Sequence, residues 1–250
     1  MAVIWGLDLS AIRFSAFRHK QMFDKKWHLR GERFIIYQAA MLLCVVAESV
    51  ATYALDKYVD LQNFMHASSG FVAAIYNNDI VAAACVTIVS GVFVATVFGA
   101  EFFFLLFWPE YTYPPWVVRW KKIAAVFVTV LLTADVLQWT IIGASHAATI
   151  SGVDEITRAG LLQRYPKPPL EYHKFPSIVA SIVLLWLGWV STIASTIILF
   201  KCAEHDALHG PLQMPVQDIE TKAGGASTRE SGTPTPLGVD AQPATTKPDL

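Results

Sequence analysis

Charge and cysteine are both scarce in this chain, and each shortage excludes something. Only 16% of the 250 residues are charged, against roughly 25% in ordinary soluble domains. Hydrophobic residues make up 54%, mean hydropathy is +0.43 and the formal net charge is −1. That balance argues against a soluble globular domain, a disordered chain and a basic nucleic-acid binder. There are three cysteines, Cys44, Cys85 and Cys202, and the first two lie inside long apolar runs. None falls in an expected outer loop, which excludes a disulfide-stapled secreted fold. No Asn-x-Ser/Thr sequon occurs, nor a phosphate-binding glycine loop, a G-x-S-x-G, a CxxC pair or an aspartate-rich diphosphate cluster. No cofactor and no metal are therefore expected. Proline is absent from every long apolar run, which argues against the broken helices of a transporter acting alone.

Four such runs are present. A bilayer core about 30 Å thick needs ~20 apolar residues in a helix, and residues 34–55, 80–108, 123–142 and 178–200 reach that length. The polar, basic residues 1–33 are too long for a signal-peptide n-region, so the first run reads as a retained anchor. The expected fold is an all-α integral membrane protein, a four-transmembrane-helix bundle spanning 34–200. Residues 1–33 form a basic cytoplasmic arm, read either as an interfacial amphipathic helix or as a loosely ordered segment. Residues 201–250 form a cytoplasmic tail, rich in Pro, Thr and Gly towards its end, and expected to be disordered. The loop at 143–177 is the longest outer one, and its Tyr165-Pro166-Lys167-Pro168-Pro169 run favours an extended path.

Orientation follows from Lys and Arg, which concentrate on cytoplasmic loops. Seven lie in the arm, three in the second loop and four in the tail; one lies in the first loop and four in the third. Fourteen against five places both termini and the second loop in the cytoplasm. Trp108, Tyr111, Tyr113, Trp116 and Trp120 flank that loop, as an interfacial belt does.

Chemistry is concentrated in the intramembrane polar residues Glu48, Glu101, Asp135 and Gln138. Carboxylates at membrane depth are costly and usually face the bundle interior. No Lys, Arg or His lies within the four runs, so Asp135 and Glu48 are expected to be protonated and to find Gln138, Thr133, Ser49 or Thr52, or a small wet cavity, whereas Glu101, late in its run, is expected to reach the inner interface. Two readings follow, a proton or cation path and polar glue between helices. The second run carries a small-residue ridge, Ala83, Thr87, Gly91, Ala95 and Gly99, suited to close helix approach. Cys202 sits at the inner boundary as a lipidation candidate, and Thr233 and Thr235, each before proline, are phosphorylation candidates. His205 and His209 stand at i, i+4 without a further ligand set, and read as a polar helix end.

The run Asp135-Val-Leu-Gln-Trp139, together with the small-and-Trp fourth run from Ala180 to Ser195 with Trp186 and Trp189, resembles the MARVEL-type tetraspan proteins over residues 34–200. The resemblance implies a role in membrane apposition, lipid-domain organisation or trafficking at the plasma membrane or secretory pathway. It carries over no catalytic residues. The expected partners are membrane lipids and a second copy or other membrane proteins, with no nucleic acid. The alternatives are a small proton or ion transporter or channel subunit using the intramembrane acids, and a membrane enzyme acting on a lipid or isoprenoid.

Overall fold

The computed structural model describes residues 12–210 apart from 25 and 112, together with Val3, Ile4, Leu7, Asp8 and Leu212. The tail, with Thr233 and Thr235, lies outside the described residues. In chain order the elements are the two-residue strands β1 (Val3–Ile4) and β2 (Leu7–Asp8), then the one-turn helix α1 (His19–Met22). The long helix α2 (Arg30–Ser68) follows, then strand β3 (Ala74–Tyr76), helices α3 (Asn78–Phe107) and α4 (Pro115–Ser145), strand β4 (Thr149–Ser151), and helices α5 (Glu155–Arg164) and α6 (Pro176–His209). The four long helices α2, α3, α4 and α6 are long and apolar enough to cross a membrane. Proline stands at the N-terminal end of α4 and α6, where its missing N–H costs nothing and its fixed φ suits the first turn. Gly210, at φ +78°, ends α6.

The helices close a ring in the order α2–α3–α4–α6, with α2 packed most extensively on α6. Burial explains the ring. Along α2 the buried residues include Ala40, Cys44, Ala47, Ala51 and Ala54, and along α6 they include Ser181, Leu185, Gly188, Thr192 and Ser195. These steps of three and four repeat every seven residues, the spacing of a left-handed helix pair. Small side chains let the backbones approach, as membrane helices require where lipid offers no hydrophobic drive. The outward faces carry Leu42, Val46, Phe93, Phe127, Val130 and Val190, all exposed. Small residues line the α2–α6 seam and large apolar ones also face outward, where a soluble bundle would carry charge.

At about 1.5 Å per residue, the 39 residues of α2 exceed a bilayer core by nearly half their length. The excess is clothed. Strands β3 and β4 pair antiparallel, with Ile75 opposite Ile150, and α5 and a 3-10 turn at Tyr172–Lys174 complete a small cap at the end of the bundle where α2 and α4 finish, called the outer cap after its expected side. Tyr58 of α2 meets Tyr172 and Phe175 edge-on at 5.3 and 5.9 Å and donates its hydroxyl to Pro169 O at 2.8 Å. Gly152, at φ +87°, lies so close to the Val72 carbonyl that no Cβ fits. The 143–177 segment thus carries a strand and a ten-residue helix, started by Asp154 accepting from the Thr157 N–H. Among the described residues the arm contains a 3-10 turn, Phe14–Phe17, and the one-turn α1 in place of a long amphipathic helix. Phe17 meets Phe107 of α3 edge-on at 6.0 Å.

Candidate functional site

Three polar sites divide the intramembrane and boundary residues between them. The first is at mid-bundle. Asp135 of α4 is 1% exposed and accepts from two hydroxyls of α3, Thr87 Oγ1 at 2.9 Å and Ser90 Oγ. Its partners are therefore on the neighbouring helix, whereas Thr133, Ser49 and Thr52 bond backbone carbonyls of their own helices. A helix hydroxyl's own carbonyls lie within its reach at i−4, so the local bond wins unless a stronger acceptor faces it. Thr87 and Ser90 face the Asp135 carboxyl while each also stays within bonding distance of a carbonyl of its own helix, Ala83 O at 3.1 Å and Thr87 O at 3.0 Å, so each hydroxyl has two acceptors for its one proton. Gln138 is half-buried, one turn on from Asp135.

Glu48 of α2 lies over Gly91 of α3, whose missing side chain makes room for it, and Glu48 Oε2 is buried without a hydrogen bond. Gly99 approaches Met41 of the same helix. In the ridge, Ala83, Thr87, Gly91 and Gly99 are buried and Ala95 is half-buried. The ridge drifts because four residues overshoot a turn of 3.6. The buried line passes instead through Thr87, Ser90, Val94 and Phe98. Tryptophans tie α6 and α4 together: Trp186 donates to Thr140 at 3.1 Å, Trp189 to Thr133 at 2.8 Å, and Trp139 to Ser181 at 2.8 Å.

The second site is the end of the bundle where α2 and α4 begin and α3 and α6 finish. Glu101 pairs here with Lys121 at 3.1 Å, both side chains about one-sixth exposed. Glu101 stands late in its helix, and α4 starts at Pro115, ahead of the expected run, so that it carries Lys121 to this level of the bundle. Arg33 pairs with Asp206 of α6 at 3.3 Å. Both pairs line a cavity of about 560 Å³, together with Tyr113, Lys122, Trp27 and Trp108. The Lys121 ammonium also sits 3.9 Å from the Tyr113 ring centre, a cation–π contact. The Tyr113 hydroxyl and Arg33 Nε are buried without a hydrogen-bond partner. Burial raises the Tyr113 phenol well above its ordinary range, so it stays a donor. Cys202 is 2% exposed and lines the same cavity.

The same end holds a short strap before α2. Trp27 is 8% exposed and bridges to Leu212, and His28 stacks on His205 of α6 with ring centres 3.7 Å apart. Burial first, then the neighbouring His205 and Arg33, lower the His28 imidazole below its ordinary 6.5. His205 and His209 lie 5.1 Å apart, and no group of three metal-ligating side chains occurs among the described residues.

The third site is in the outer cap. Asp79 accepts from the Tyr172 hydroxyl at 2.8 Å and meets His146 Nδ1 at 2.8 Å, joining the start of α3 to the segment after α4. Burial, and then the Asp79 carboxylate, raise the Tyr172 phenol. Sequence reasoning passed over Arg33, Tyr113, Lys121, Asp79 and Tyr172. The alanine and serine steps along α2 and α6 were visible signals of packing. Nothing local announced the cavity, because four helix ends build it.

No protein-family model, curated protein or solved structure matches this chain. The fold defines the class, a mainly helical multi-pass membrane protein with four long apolar helices.

Proposed function

We propose that this chain is a non-enzymatic membrane organiser that gathers lipids and partner membrane proteins, a second copy of itself included, in the manner the MARVEL-type resemblance implies. Both termini then lie in the cytoplasm, at the plasma membrane or in the secretory pathway. The observation that carries the reading is Asp135, enclosed at 1% exposure and held by Thr87 and Ser90. A carboxyl group spent on two helix-packing hydroxyls is engaged in holding α3 to α4. A proton path needs its acids to exchange partners, and an enzyme needs them to face substrate. Of the three acids only Glu101 lines the cavity, and Lys121 already neutralises it.

The test is reconstitution of the full chain with Asp135→Asn alongside. Asparagine keeps an acceptor for one of the hydroxyls, so lateral self-association measured by energy transfer between labelled copies stays within about twofold of wild type. Proton or cation flux in the wild-type liposomes that Asp135→Asn abolishes would replace this reading with the transporter.

A further inference from the structure

The cavity at the terminal end of the bundle is unevenly furnished. Arg33, Lys121 and Lys122 line it against two carboxylates, Glu101 and Asp206. Each carboxylate already has its own cation, Lys121 at 3.1 Å and Arg33 at 3.3 Å. Three donors are left over, on Lys122, Tyr113 and Arg33. Lys122 has no carboxylate partner among the described residues and rests its ammonium 5.3 Å from the Phe200 ring. The Tyr113 hydroxyl and Arg33 Nε are buried with no acceptor. Buried donors without acceptors are unfavourable, and an anion that accepts from several at once removes the cost. The remaining wall is hydrocarbon, with Phe104, Leu105, Val118, Leu199, Ala203 and Ala207. An anion alone would leave that wall wet.

Depth gives the same answer. Trp116 and Trp120, at the start of α4, are 59% and 64% exposed, and exposed tryptophans at a helix end mark headgroup level. A volume of about 560 Å³ lies within the range of small-molecule sites and accommodates a headgroup with the first carbons of a chain.

We propose that this cavity binds a phosphate-bearing lipid, its phosphate held by Tyr113, Arg33 and Lys122 and its chain laid against the Phe104–Leu199 wall. A soluble phosphate ester shares the headgroup chemistry but leaves the apolar wall unfilled. The inference rests on the organiser reading and names the lipid that it gathers.

The test places the full chain in phosphatidylcholine nanodiscs containing a minority of phosphatidic acid, and identifies retained lipid by native mass spectrometry after release into detergent. Wild type retains phosphatidic acid in preference to phosphatidylcholine. Tyr113→Phe combined with Lys122→Gln lowers that retention about tenfold, the loss expected for hydrogen bonds to a charged group. Thermal unfolding without phosphatidic acid shifts by no more than loss of the Lys122–Phe200 contact brings, at most about fivefold in the folding equilibrium, since neither group gives up a hydrogen bond. Lys174→Gln at the opposite end keeps wild-type retention. The proposal is overturned if the double variant retains phosphatidic acid like wild type, or if wild type holds both lipids equally. It is also overturned if inorganic phosphate stabilises the chain in plain phosphatidylcholine as much as phosphatidic acid does. Retained lipid released with altered mass would support the site while ending the non-enzymatic reading.

Discussion

At Gly188 a single hydrogen atom decides how close two helices come. A Cβ there would stand 2.8 Å from Cys44 Sγ and 3.5 Å from the Cys44 backbone nitrogen, so α6 would have to draw back from α2. Gly160 is the opposite case, a helical glycine in α5 with nothing within 4 Å of its would-be Cβ. Gly188→Ala should destabilise the bundle by about 1–3 kcal/mol, the usual cost of overpacking. Gly160→Ala should stabilise α5 by about 0.5–1 kcal/mol through backbone entropy. Unfolding midpoints in one detergent compare the two, and equal shifts would show that Gly188 is not a close-packing position. Asp135 belongs to the same scale. Its neighbours at i−2 and i+3, Thr133 and Gln138, looked like its partners in sequence, yet both bonding hydroxyls come from α3.

Elements at the two ends of the bundle are latched differently. The outer cap is latched by Asp79, which gathers Tyr172 and His146 from the segment that follows α4. At the other end the strap before α2 is latched by the His28–His205 stack, and that latch responds to pH. His28 titrates below 6.5 when folded, because burial, His205 and Arg33 disfavour its charged form; Asp206 and Glu32 oppose them more weakly. The released strap therefore binds more protons than the docked one just below pH 6.5. The contribution of His28 to docking is at full strength above 6.5 and is lost as pH falls through the lower folded value. Hydrogen exchange at residues 26–29 should accelerate on acidification below 6.5, and His28→Phe should flatten that dependence while keeping the stacking surface. A strap whose exchange in wild type ignores pH over this range would rule the latch out. The absence of a long amphipathic helix from the described arm has a sequence-level cause. Phe14 and Phe17, and Phe23 and Trp27, pair at helical spacing, but the first pair falls on a different side from the second and Ile12, so no single face gathers all five.

On the scale of the whole molecule, the bundle separates a basic, tryptophan-rimmed end from an outer cap. Fourteen of the nineteen Lys and Arg residues fall in segments on the terminal side of the spans. The proposed orientation puts that side in the cytoplasm. Gln163 of α5 and Arg119 of α4 are both exposed and at opposite ends, which makes them reporters. In intact cells, a membrane-impermeant maleimide should label Gln163→Cys and spare Arg119→Cys until the membrane is permeabilised. The reverse pattern would invert the topology. Native cysteines interfere little, since Cys44 and Cys202 are buried and Cys85 is exposed on a membrane-spanning helix.

The linear chain was sufficient for the number of long helices, because an apolar run of bilayer length has few alternatives to a helix. Residues 80–108 and the helix Asn78–Phe107 nearly coincide for that reason. Helix ends were less legible: α2 begins at Arg30 and runs on to Ser68, well past residue 55. Beyond the apolar run Tyr58, Leu61 and Met65 are buried at 0% exposure, and Tyr58 is held by Pro169, Tyr172 and Phe175, more than a hundred positions away. The sequence by itself determined the solvent of this protein, through the length of its apolar runs, and supplied the charge asymmetry behind its proposed orientation. Only the tertiary structure decided which hydroxyls hold Asp135, that Glu101 meets Lys121, and that Tyr113, Arg33 and Lys122 surround one cavity. Hydropathy is a property of each residue and sums along the chain, whereas a site is a property of distances between helices that sequence spacing does not contain.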